Sequence, residues 1–301
     1  MCILVEIRMI IVTIPAYNEE LTIAQLIRDI KRVMNNLGKE YKIVVVDDGS
    51  TDNTAEIAKN SGAIVVSHPK RYGLAETFRT ELEQCLRLGA DVIVHIDADY
   101  QYLPEEIPKL LECIDKGYDI VLGSRFKGKI EFMPIIKKIG NKLFSKVVTQ
   151  ITGIKITDSQ TGFRAFTKDV AKIRLTSNHT YTQEQIIRAV KRKFRVTEVP
   201  VHFKQRKGKS KLIKNPFEYG VKACINILRV YRDNEPLKFF GIIGTALFSI
   251  GIIIGLWLVF TFLRKGFIGR TPTLILCVLL LITGIQIIIF GFLADMQQIS
   301  S

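Results

Sequence analysis

This chain of 301 residues is short of cysteine, of tryptophan and of acid. Its five cysteines (Cys2, Cys85, Cys113, Cys224, Cys277) are odd in number, far apart and never in a C-x-x-C pair. Neither a disulfide framework nor a zinc site is indicated, and a reducing compartment fits. Tryptophan occurs once, at Trp257. Acids number 29 against 43 Lys and Arg, a net charge of +14, which calls for an anionic partner: nucleic acid, phospholipid or a phosphorylated small molecule. No internal repeat or low-complexity linker divides the chain, and Met1 to Arg8, interrupted by Glu6, lacks the cleavage pattern of a signal peptide. Charge is missing altogether from two stretches, 25 residues from Phe239 to Leu263 and 24 from Thr271 to Ala294. Each is long enough to cross about 30 Å of hydrocarbon. The expectation is a globular head over 1–213, an amphipathic helix over 214–235 and a membrane hairpin over 236–301, with spans at about 239–263 and 272–294.

Within the head, apolar runs at 9–14, 43–46, 63–66, 92–96 and 119–122 read as buried strands, separated by segments of helical period. One such segment, 22–37, is closed by Gly38. Alternation of this kind predicts an α/β fold with a doubly wound, mostly parallel sheet and ligands outside the carboxyl ends of its strands. The loops after Ile14, Val46, Ile96 and Leu122 are therefore the ones to read. The loop after Ile96 opens with Asp97 and Asp99, separated by Ala98. In an extended segment both carboxylates would face one point, and an oxygen-rich pair suits a hard cation such as Mg²⁺ or Mn²⁺. A solvated turn capping the next helix is the plainer alternative. Asp47 or Asp52 could likewise serve only as caps, and Tyr17 could simply pack. Arg125 follows a strand end, where a cation could meet a phosphate. Gly162, in D-S-Q-T-G-F-R, suggests a close backbone approach, with an Asp158–Arg164 ion pair as the structural competitor. From Lys204 to Lys214, six of eleven residues are Lys or Arg with no acid among them.

Taken in order, I-P-A-Y-N-E-E, V-V-D-D-G-S-T-D-N-T, D-A-D-Y-Q-Y-L-P-E-E, G-S-R-F and D-S-Q-T-G-F-R-A-F make the chain resemble the inverting glycosyltransferases of family 2. The branch resembled is that of the dolichol-phosphate mannose synthase-like, polyprenyl-phosphate glycosyltransferases, over about residues 9 to 213 plus the hairpin. The resemblance implies a nucleotide-sugar-binding head of GT-A type with Pro15, Tyr17, Glu19, Val46 and Asp48 around the base and ribose. It implies Asp97, Ala98 and Asp99 against the nucleotide-sugar; Asp97, Asp99 and Gln101 as the metal site; and Arg206 and Lys211 on the diphosphate. Arg125 and Lys138 would meet the acceptor phosphate, so that Asp97, Asp99 and Arg125 carry the catalysis. Where relatives with hydroxyl acceptors place an acidic pair, this chain reads Y-T-Q-E, with Glu184 the sole carboxylate.

The implied activity is transfer of one sugar from a GDP-mannose- or UDP-hexose-type donor to a polyprenyl, dolichyl-type phosphate. Nucleotide-sugars are cytosolic, so the head should face the cytoplasm from a multi-pass anchor in the cell membrane, with the 264–272 loop opposite. Gly251-x-x-x-Gly255 allows a hairpin that self-associates into a homo-oligomer. A processive polysaccharide synthase would carry Q-x-x-R-W and more spans, whereas Trp257 lies inside the first span. A silent nucleotide-sugar-binding subunit is the other competitor. Nucleic acid is not an expected partner, since the basic cluster adjoins the hydrophobic spans without a recognition motif.

Overall fold

The computed structural model of the protein describes residues 9–178, 180–205, 216–267 and 271–299. The chain falls into two compact units that meet between Asn226 and Ile227.

The first unit opens with the expected alternation: β1 (Ile10–Ala16), α1 (Ile23–Leu37), β2 (Tyr41–Asp47), α2 (Thr54–Asn60), β3 (Ile64–Ser67), α3 (Leu74–Arg87) and β4 (Val92–His95). Every residue of β1 is buried, as a central strand covered on both faces requires. Helix α1 buries Ile23, Leu26, Ile27, Ile30, Val33 and Met34 along one stripe. It stops where Gly38 takes a left-handed conformation (φ 61°) and its N–H bonds the Asn35 carbonyl. After a 3₁₀ turn at Pro104–Glu106 come α4 (Ile107–Asp115), β5 (Ile120–Ser124), α5 (Ile135–Thr152), β6 (Arg164–Thr167), α6 (Lys168–Ala171), α7 (Tyr181–Lys191) and β7 (Val196–Pro200).

The sheet runs in the order β3-β2-β1-β4-β6-β5-β7. β6 pairs antiparallel with both β4 and β5, so the sheet is mixed and mostly parallel. β6 and β7 were not anticipated from sequence: R-A-F-T is four residues long, and V-T-E-V-P runs into the basic segment. Since β1 lies between β2 and β4, its carboxyl end is the point where the strand order reverses, and a crevice opens there. One correction concerns β4. It ends at His95, so Asp97 lies just beyond the strand and Asp99 on the turn at 98–99, and Tyr100 is left-handed at φ 59°. The alternation of an extended chain therefore does not orient the two carboxylates.

In the second unit, α9 (Pro236–Lys265) and α10 (Thr271–Ile299) are apolar and long enough to cross a membrane, with mean hydropathies of 2.5 and 2.8. The boundary falls within α8 (Pro216–Asn234), on which Ile225 and Leu228 are exposed. Gly244 and Gly251 of α9 are spent inside the pair. A Cβ on Gly251 would stand 3.0 Å from Leu281, one on Gly244 would stand 2.7 Å from the Gly284 carbonyl oxygen, and the Cys277 thiol donates to the Gly251 carbonyl at 3.2 Å. Gly251 therefore packs α9 on α10 of the same chain, which removes the sequence-based reason for expecting a self-associating hairpin.

Candidate active site

All four loops singled out from sequence converge on one cleft of about 630 Å³. Pro15 comes from the carboxyl end of β1, Tyr17 and Glu19 from the loop after it, Asp48 from the loop after β2, Asp97, Ala98, Asp99 and Gln101 from that after β4, and Arg125 from that after β5. Val46 does not reach it: its side chain is fully buried within β2. Nor does Lys138, which lines a separate pocket; Lys137, one residue earlier, is the lysine of α5 that reaches the cleft. Arg206 and Lys211 lie outside the described residues.

The acidic loop is held from three sides. Tyr100, in its strained conformation, donates its hydroxyl to Asp29 on α1 and is overlain at 5.7 Å by the Lys204 ammonium. Burial, with the bond to Asp29, pushes the phenol up to about 12. Gln101 receives the Lys204 N–H on its carbonyl at 2.8 Å and gives its side-chain N–H to the Lys204 carbonyl at 3.0 Å, which turns Oε1 into a ligand-capable oxygen. The third side is Gly162, where any Cβ would overlap the Asp97 carboxylate, so the chain can pass over the acid only as glycine. Tyr102, fully buried behind the loop, accepts the Gly162 N–H at 3.3 Å. Behind Asp97 sits His95, its Nε2 3.9 Å from Oδ1 and its Nδ1 2.7 Å from the buried Glu81. The sequence reading missed that pair, whose members lie fourteen positions apart on α3 and β4.

Asp97, Asp99 and the Gln101 amide supply a small set of hard oxygen donors, and among the described residues no group of three or more His, Cys, Asp and Glu could hold a metal ion by itself. A donor set of that size fits an ion such as Mg²⁺ or Mn²⁺, which keeps waters and takes phosphate oxygens from a substrate. It does not fit a structural metal cage.

Asp48 is more occupied than expected. Its carboxylate accepts the N–H groups of Tyr72 (2.8 Å) and Gly73 (2.9 Å) and meets His68 Nδ1 at 3.0 Å. It thereby fixes the loop that lays Arg71 over the Tyr17 ring at 4.3 Å. Arg71 lines the cleft too, a contribution from the loop after β3 that the sequence expectation did not include. Asp52 is a cap, as one sequence alternative had it: Oδ1 accepts the Thr54 N–H at 3.0 Å.

Arg125 pairs through Nε and Nη2 with Asp158, which is fully buried, at 2.6 and 2.7 Å. Arg164, fully buried as well, instead donates to carbonyls of Thr161 and Thr182 and to Gln185, so the Asp158–Arg164 pair considered from sequence is replaced by Asp158–Arg125. Glu184 is not among the residues that line the cleft. Its carboxylate accepts from the N–H groups of Thr176 and Ser177 and pairs with Arg188 at 2.8 Å.

A mostly parallel sheet whose switch-point cleft carries D-x-D is the frame of a glycosyltransferase, and the chain belongs to that class: the model of glycosyl transferase family 2 matches residues 11–174. Its relatives narrow the neighbourhood. The chain is 34% identical over 221 residues to a dolichyl-phosphate hexose transferase of Haloferax volcanii, covering 73% of this chain and 92% of the relative. It is 36% identical over 220 residues to a UDP-N-acetylglucosamine–dolichyl-phosphate N-acetylglucosaminyltransferase of Methanococcus voltae, covering 64% and 85%. Among solved structures, glucosyl-3-phosphoglycerate synthase of Mycobacterium tuberculosis with Mn²⁺, UDP-glucose and phosphoglyceric acid shares the fold. There the TM-score is 0.59 at 21% identity, over 74% of this chain and 79% of that one.

Proposed function

We propose that the protein transfers one sugar from a nucleotide-sugar to a polyprenyl phosphate at a membrane, with inversion at the anomeric carbon. The observation that carries this reading is the polarity of the cleft. Its acids (Glu19, Asp48, Asp97, Asp99) come from the loops after β1, β2 and β4, while the α5 side offers Arg125, Lys137, Asn141 and Gln160 with no carboxylate. The relatives named for dolichyl-phosphate acceptors support the same acceptor class.

A sugar hydroxyl must lose a proton as it attacks, so an enzyme serving it needs a positioned base. A phosphate monoester needs none: its second pKa is about 6, and it already presents an anionic oxygen near neutral pH. That oxygen attacks the anomeric carbon, the bond from that carbon to the donor's diphosphate oxygen breaks, and the nucleoside diphosphate leaves with the electron pair. The chain's own part is to hold the two anions in line. Arg125, held by Asp158 through Nε and Nη2, lines the cleft where the acceptor phosphate would lie, and Lys137 adds charge from α5. Tyr17 and Arg71 bracket the nucleotide end, with Asp48 keeping their loop in place. A divalent ion held by Asp97, Asp99 and Gln101 would offset the diphosphate charge and stabilise the leaving group. The pair α9 and α10 would cross the bilayer and keep the head, on the cytoplasmic side, beside its lipid acceptor.

The test is metal dependence combined with donor binding. Asp99→Ala should abolish turnover, EDTA should do so reversibly on re-addition of Mn²⁺, and calorimetry should record weaker nucleotide-sugar binding by Asp97→Asn. Full turnover in Asp99→Ala, with donor binding untouched in Asp97→Asn, would reduce the motif to a turn.

A further inference from the structure

Helix α5 carries two rows that the catalytic cleft does not use. Lys138, Lys142 and Lys146 recur every fourth residue and, with Lys155 from the following loop, line a pocket of about 600 Å³. That pocket has no carboxylate in its lining and shares only Arg125 with the cleft. Among the described residues none of these four lysines has an ion pair; the Lys142 ammonium merely stands 5.8 Å from the Phe126 ring. Like charges spaced i, i+4 repel, so such a row is unfavourable until anions gather on it. Beside the lysines, Ile135, Ile136, Ile139 and Leu143 are 45 to 75% exposed, a concentration of apolar surface that the head repeats nowhere else among the described residues. The inner stripe of the same helix, Asn141, Phe144, Ser145 and Val148, is buried, so the outer rows are not waiting to pack on the head's own core.

Cations beside exposed aliphatic side chains on one helix match the boundary of an anionic bilayer, where apolar groups enter the acyl region and ammonium groups stay with the phosphates. We infer that α5 is a second membrane contact of this protein, and that the Lys138–Lys142–Lys146–Lys155 pocket binds the phosphate of an anionic phospholipid headgroup, apart from the cleft in which sugar transfer is proposed. The inference rests on the membrane reading of α9 and α10 and not on the proposed reaction. A free phosphate metabolite would suit the lysines but would leave the aliphatic row unexplained.

The single tryptophan makes the test direct. In the full-length chain, Trp257→Phe removes the background and Leu143→Trp places a reporter on α5, with Ile64→Trp on β3 as the control position. The protein is reconstituted in nanodiscs containing a fixed fraction of dibrominated phosphatidylcholine, the remainder being phosphatidylcholine or phosphatidylglycerol. Quenching at position 143 should exceed that at position 64 at least twofold in the anionic discs and fall by half or more in neutral ones. The triple change Lys142→Glu, Lys146→Glu, Lys155→Glu, or the milder Lys→Gln set if the first folds poorly, should lower it in the anionic discs. Equal quenching at the two positions, or quenching indifferent to bilayer charge and to the lysines, overturns the inference. So does protection of these lysines from acetylation by millimolar inorganic phosphate in detergent without matching protection by anionic discs, which would make the pocket a soluble-anion site.

Discussion

Arg125 and Glu184 show how much a residue's role depends on what already holds it. Removing the guanidinium would strand Asp158, which is fully buried, and losing one partner of a buried pair costs about 3–5 kcal/mol. Arg125→Ala should therefore lower thermal stability as well as activity. Arg125→Lys, which keeps the charge but not the two-pronged bond, is the sharper test: the acceptor's apparent KM should rise at least tenfold with donor binding unchanged. Near wild-type acceptor kinetics in Arg125→Lys would remove Arg125 from the acceptor site. Glu184 is the opposite case. Its carboxylate is occupied by the 176–177 backbone and by Arg188, so Glu184→Gln should cost on the order of 1–2 kcal/mol in a denaturant titration while keeping kcat within a few-fold. A collapse of kcat with the fold intact would mean that a general base had been overlooked. The cleft's acids were legible because each lies within four residues of an apolar strand end. Arg71, Lys137 and the Glu81–His95 pair were not, since their contributions depend on loop path, helix rotation and packing between distant segments.

Among the elements, the parallel half of the sheet was readable because β1, β2 and β4 are continuous apolar runs, and α1 announces itself by its period and by Gly38. β6 was hidden. It enters the sheet antiparallel through its pairing with β4, after a loop that must cross Asp97 at Gly162. Gly162→Ala should accordingly impair donor binding far more than stability, because its Cβ would displace the Asp97 carboxylate; unchanged donor affinity by calorimetry would contradict this. At the start of α2, the Asp52 carboxyl is raised by burial but brought below its ordinary 3.8 by hydrogen bonds from Thr54 and Glu20. A depressed pKa stabilises the fold above the ordinary carboxylate range, and the gain vanishes as pH falls through the folded value. Asp52→Ala should thus cost about 1 kcal/mol at neutral pH. Denaturant midpoints of mutant and wild type should converge below pH 3.8; a gap that stays constant with pH would remove the carboxylate from the account.

For the whole molecule, the division into an α/β head and an apolar helix pair was plain in the sequence, since no charge interrupts either long run. What the helix pair does with its glycines was not, because a G-x-x-x-G pattern is the same whether it packs on a neighbouring chain or, as here, on α10. The proposed reaction is defined by its acceptor. Purified full-length protein, given Mn²⁺ and a panel of GDP- and UDP-sugars, should be offered a polyprenyl phosphate and, in parallel, the same polyprenol without its phosphate, with lipid products read by mass spectrometry. A single added hexose or N-acetylhexosamine is expected on the phosphate lipid from one donor class, and nothing on the alcohol. Products on the alcohol, or ladders of several sugars on either lipid, would contradict it.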